Sequence, residues 1–172
     1  MYASDGTKRI IEELEYLETG RRQIRERGPH FRIIHRYNPQ FTPCGPHEEI
    51  AAVYLIHAGN AIQVRLGTIL LTLFDFMARH NQLAQTAVQI ERGTRTGGPR
   101  RFNHASASDL TSGILRRYVR VYIDRIRVAL GRALREAVLD TEPAAVLISE
   151  ETALNQTEYR LRGTFEWLHT SE

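Results

Sequence analysis

The stretch Val119-Arg120-Val121-Tyr122-Ile123-Asp124-Arg125-Ile126-Arg127-Val128-Ala129-Leu130 (VRVYIDRIRVAL, residues 119–130) carries the decisive pattern of this chain. Val119, Ile123, Ile126 and Leu130 recur at helical spacing, and the stripe extends back to Leu115 and on to Leu134, flanked by Tyr122 and Ala133. The spacing predicts the longest helix of the chain over 109–138, with Ser108 or Asp109 as its cap. With Val119 on the inner face and a turn of roughly 100° per residue, the opposite face collects Arg117, Val121, Asp124, Arg125, Val128, Arg132 and Arg135. Arg116, Arg120 and Arg127 fall on a flank, and Gly131 is placed to end or bend the helix early. Such a helix buries one side and turns guanidinium groups outward.

The charge around it is concentrated. Residues 92–135 hold eleven Arg against Asp109 and Asp124, whereas residues 1–91 balance ten basic with ten acidic side chains. Residues 136–172 hold Arg160 and Arg162 against eight carboxylates. A local excess of +9 draws polyanions through counterion release. The same excess also fits a solvated surface in a chain that uses 22 Arg and only Lys8, so composition leaves both readings open.

Upstream of the basic segment, Ala51–Ala58 and Ala61–Leu66 are β-prone runs separated by Gly59-Asn60, a hairpin signal. Residues 68–80 (TILLTLFDFMARH) predict a buried helix with Ile69, Leu70, Leu73, Phe74 and Met77 inward and Thr68 as cap. Residues 82–91 predict a shorter helix, and Gly93–Ser108 a loop in which Arg100 and Arg101 could form a basic arm. Farther upstream, Ile10, Ile11, Leu14, Leu17 and Ile24 predict a helix over 5–27, acidic early and basic late, as the helix dipole favours. Gly28-Pro29 ends it; Phe31–Tyr37 is strand-like, and Pro39, Pro43 and Pro46 mark a linker. So narrow a stripe must pack on its own domain or on a second chain; a dimerisation arm over 1–49 and a domain over 50–172 are expected. Downstream of Pro143, Ala144–Ser149 and Glu158–Arg162 predict two strands around a polar tip, with Thr164–Leu168 as a third strand or a tail.

Hairpin, two helices, a basic helix and a second hairpin follow the chain order of a winged helix-turn-helix, an α+β fold. The 119–130 stretch resembles the recognition-helix signature of the OmpR/PhoB-type winged-helix regulators, which reads approximately V-x-V-[HY]-I-x-R-[LI]-R-x-x-L. Thr157-Glu158-Tyr159-Arg160-Leu161 resembles the end of that family's wing, and Leu70–His80 its first core helix. The resemblance covers roughly residues 50–165. It implies that Val121 and Arg125 read bases while Arg117, Tyr122 and Arg127 touch the DNA backbone. Arg116 and Arg120 suit phosphates, and exposed Val121 suits a thymine methyl group. The alternatives are core-edge packing for Tyr122 and plain solvation for Arg127 and Arg132. The sequence departs from the family at the wing, where Asn155 and Glu158 replace the usual Arg and Gly residues. With Glu150, Glu151 and Glu158, that wing is poorly suited to entering the minor groove. About 50 residues precede the hairpin, too few for a phosphoreceiver domain.

Other chemistry finds little purchase. No Gly-rich loop with a Lys follows a strand, the seven His show no ligand spacing, and Cys44 with His47 supplies only half a metal site. Glu150-Glu151 reads as a solvated tip rather than an acid–base pair. No run approaches the roughly 20 apolar residues of a membrane span, no signal peptide opens the chain, and a lone Cys44 suits a reducing compartment. The expectation is a cytoplasmic, non-enzymatic, homodimeric regulator binding double-stranded DNA, without metal, cofactor or small-molecule ligand. The expected DNA-binding set is Arg116, Arg117, Arg120, Val121, Tyr122, Arg125 and Arg127, with Arg100, Arg101 and Arg160 beside it. Rival readings are a winged-helix module that docks another protein, and a plasmid or phage replication or packaging factor on DNA.

Overall fold

A computed structural model describes residues 5–38, 47–96 and 116–170. The chain forms an α+β fold. In order, its elements are α1 (Asp5–Arg27), β1 (His30–Asn38), β2 (His47–His57), β3 (Asn60–Val64), α2 (Thr68–Arg79), β4 (Gln85–Thr86) and α3 (Ala87–Thr96). A 3-10 turn (Arg116–Tyr118) then leads into α4 (Val119–Glu136), followed by α5 (Pro143–Val146), β5 (Leu147–Glu151), β6 (Thr157–Leu161) and β7 (Thr164–Thr170).

Two sheets flank the helices. The larger has the strand order β3-β2-β1-β7, with β7 running parallel to β1 and the other pairs antiparallel. The smaller has the order β4-β6-β5. Period-two alternation points Phe31 and Ile33 of β1 and Val53 and Leu55 of β2 inward, where they are buried. They meet Leu73, Phe74 and Met77 of α2 and Ile123, Ile126, Leu130 and Leu134 of α4 in one core. Phe31 stands edge-on to Phe74 at 5.2 Å between ring centroids and stacks on Phe165 of β7 at 5.6 Å.

The β2–β3 hairpin turns on Ala58-Gly59, one residue before the expected Gly59-Asn60, because His57 pairs with Asn60. Both turn residues have positive φ, 50° at Ala58 and 76° at Gly59. A two-residue turn whose twist matches the strands requires that backbone. Helix α2 covers the expected span, but Thr68 is its first residue rather than its cap: Gly67 holds that position and no side chain caps it. Ile69, expected inward, is 40% exposed, because Leu71 through Ala78 carry the buried surface. The expected helix over 82–91 becomes β4 followed by α3.

The long basic helix begins in the described chain at the 3-10 turn, and regular α-helix starts at Val119. Its expected first turn with Ser108, Asp109 and Leu115 lies outside the described residues, as do the Pro39–Pro46 linker and Arg100 and Arg101. Gly131 neither ends nor bends α4. It lies buried within the helix, and a Cβ there would meet Pro143 Cγ at 3.1 Å, so it permits close contact with α5. The first turn of the expected strand 144–149 is helical, since α5 occupies 143–146. Thr164–Thr170 is a strand, and it joins the larger sheet rather than the hairpin beside it. Strand β1, expected upstream of the domain, lies between β2 and β7, so the sheet spans the expected division at residue 49/50.

Candidate nucleic-acid interface

Helix α4 separates its two faces cleanly. Val119, Ile123, Ile126, Leu130 and Leu134 are buried at 1% exposure or less, while Val121 and Val128 on the far side are 44% and 56% exposed. Arg120, Arg125, Arg132 and Arg135 are exposed on the helix, and Arg116 and Arg117 on the turn before it. The spacing of the sequence thus carries directly into an outer face of guanidinium groups around two valines.

The turn entering α4 is held from both sides. The Arg116 backbone N–H donates to Glu91 Oε2 of α3 at 3.2 Å. The Arg117 guanidinium lies 4.8 Å from the centre of the Tyr118 ring, a cation–π contact that aims it without neutralising it. Tyr118, 41% exposed, sits 6.1 Å from the half-buried Tyr122 ring. Tyr122 packs against the core, in keeping with its packing alternative. Glu91 and Tyr118 did not stand out in the sequence. Only the predicted adjacency of two helices could have signalled Glu91, and the cation–π contact with Tyr118 depends on a turn whose start is not set by periodicity.

Arg127 does not share the outer face. Its guanidinium donates to the Leu147 carbonyl oxygen from Nε at 2.9 Å and from Nη2 at 2.8 Å, and also to Ser149 Oγ. With Asp124 Oδ1 3.5 Å from Nη1, the side chain is 22% exposed. Arg127, expected at the DNA backbone, ties α4 to β5, because β5 passes the helix flank and offers carbonyl acceptors there.

Between α4 and the β5–β6 hairpin runs a groove of about 320 Å³, lined by Arg120, Asp124, Arg127, Glu150, Glu151 and Tyr159 among others. Burial pushes the Tyr159 phenol above its usual range, against the pull of the Arg120 and Arg127 guanidiniums, so the ring stays neutral. Glu150 lies directly opposite Glu158 across the hairpin. Like charges so placed destabilise a strand pair and repel a phosphate backbone. Arg160 is half-buried on β6, opposite Ile148. It is on the hairpin rather than among the α4 arginines.

A second polar cluster lies across the core. Asp75 of α2, 5% exposed, accepts from Trp167 Nε1 at 2.9 Å and from Arg79 Nε at 2.9 Å. His35 Nε2 of β1 is 3.2 Å from Asp75 Oδ1, and an acceptor-only carboxylate assigns the proton to that nitrogen. Burial alone would raise the Asp75 pKa, but His35, Trp167 and Arg79 together hold it below the usual carboxylate value. The cluster joins β1, β7 and α2.

Among the described residues, no group of three or more His, Cys, Asp or Glu is placed to hold a metal ion. No helix among them is long and apolar enough to cross a membrane. No protein-family model, curated protein or solved structure matches the chain.

Proposed function

We propose that the chain is a winged helix-turn-helix protein of OmpR/PhoB type that binds double-stranded DNA in the cytoplasm as a transcriptional regulator, with α4 as recognition helix and β5–β6 as wing. It acts by binding and not by catalysis. The observation that carries the reading is the outer face of α4, where exposed Arg117, Arg120, Arg125 and Arg132 surround Val121 and Val128 on a helix fixed to the core by its other side. A major groove admits one helix and presents guanine acceptors that suit Arg and thymine methyl groups that suit Val. In this reading Arg125 and Val121 face bases, and Arg116, Arg117 and Arg120 face phosphates, which position without specifying. Arg127 supports the reading indirectly, by fixing the hairpin to the helix.

Selection of bound sequences from a random duplex pool tests it. Wild-type protein enriches a defined motif, and Arg125→Ala relaxes one position of that motif. Failure of the wild type to enrich any sequence, or an unchanged motif with Arg125→Ala, overturns base reading by α4.

One observation favours a second reading, a winged-helix module that docks another protein. The hairpin carries Glu150, Glu151 and Glu158 and ends in Leu154, 82% exposed. An apolar tip above carboxylates suits a basic protein surface better than phosphate. A Leu154→Ser variant that keeps DNA affinity but loses a co-purifying protein favours that role for the hairpin.

A further inference from the structure

Every residue of α1 from Asp5 to Tyr16 is exposed, and the helix first loses exposure at Leu17, Gly20 and Ile24. At 1.5 Å per residue these first twelve residues make about 18 Å of helix whose side chains are exposed throughout. Ile10, Leu14, Leu17 and Ile24 share one stripe. Its far end is seated against the sheet, where Ile24 is buried at 9% exposure and Gly20 adjoins His57. Its near end is bare, with Ile10 60%, Ile11 47% and Leu14 60% exposed. A free helix of a dozen residues is marginal in water, so this surface needs a cover.

We propose that the cover is a second copy of this chain, the two α1 helices crossing antiparallel. Ile10 of each packs on Leu14 of the other, and the two Ile11 side chains meet at the centre. Charge selects this arrangement. Antiparallel pairing in that register sets Arg9 of each chain beside Glu13 of the other, both on the flank of the seam. Parallel pairing in register sets Glu13 against Glu18 on both flanks and Arg21 against Arg21, and like charges across a helix pair repel. It also brings both protein bodies, each seated at Leu17–Ile24, to one end of the pair. Antiparallel pairing sends them to opposite ends. About a dozen residues a side is fewer than the roughly 20–30 of a standard interface, so the dimer forms in a concentration-dependent way.

The test uses the full chain and no DNA, so its outcome is separate from that of the DNA reading. In sedimentation equilibrium over a concentration series, the wild type rises from 19.7 kDa towards twice that mass. Ile10→Glu with Leu14→Glu stays at the monomer mass over the same range and keeps the cooperative unfolding transition of a folded body, because both side chains are 60% exposed in one copy. In a Cys44→Ser background, a mixture of Ile10→Cys and Leu14→Cys chains forms disulfide dimers faster than either alone. A wild type that remains monomeric throughout, or a double variant that dimerises like the wild type, overturns the interface. Ile10→Cys chains that cross-link alone as fast as the mixture overturn the antiparallel arrangement.

Discussion

At the scale of single residues, two arginines of α4 only two positions apart have opposite surroundings. Arg125 is exposed, while Arg127 spends its donors on Leu147 and Ser149. Arg127→Ala is expected to lower stability by about 1–3 kcal/mol, the cost of charge-assisted hydrogen bonds to a partly buried acceptor. Arg125→Ala stays within about 0.5 kcal/mol of wild type but weakens DNA binding. Thermal unfolding beside a binding curve separates the two; equal losses of stability would contradict the assignment. Asp75 offers a pH readout. Its folded pKa lies below 3.8, so its stabilisation is fully present above that value and is lost as pH falls through the folded pKa. Melting temperatures measured from neutral to acid pH should fall more steeply for wild type than for Asp75→Asn, and parallel curves would contradict the linkage. The inner stripe of α4 was legible because burial follows a period. The destination of Arg127 was not, because a helical wheel puts it on a flank without saying which strand passes there.

Elements were legible in proportion to how local their causes are. Helices α1 and α2 follow their apolar spacing, and the β2–β3 hairpin follows its glycine, displaced by one residue. The displacement leaves Ala58 at φ 50°, which is unfavourable for a residue with a Cβ. Ala58→Asn supplies the Asn-Gly pair favoured in such turns and is expected to raise stability by about 0.5–1 kcal/mol, the usual size of a compatible backbone change. Denaturant midpoints check this, and a lower midpoint would contradict the turn geometry. Strand β7 shows where local causes end. Thr164–Leu168 is readable as a strand, but its parallel pairing with β1, more than 130 residues earlier, leaves no mark on either segment. The Asp75 cluster was hidden for the same reason, since its members are scattered over β1, α2 and β7.

On the scale of the whole molecule, the field is uneven. The α4 face is basic, the β5–β6 hairpin carries three carboxylates, and the free half of α1 is acidic. If α4 enters a major groove, the acidic hairpin must lie away from the nearest phosphates, and a paired α1 would hold two such faces on one duplex. The mixed α+β character and the main helices and hairpins were legible from spacing; β4, α5 and the larger sheet that backs α4 were not, the sheet because β1 and β7 come from distant parts of the chain. The most direct measurement is the affinity of the full chain for duplex DNA over a salt series, beside Arg117→Ala with Arg125→Ala. Log affinity should fall linearly with log salt, by about 0.9 per phosphate contact, and the double variant should bind more weakly with a shallower slope. Affinity and slope that are the same for wild type and double variant would contradict a DNA-binding role for α4.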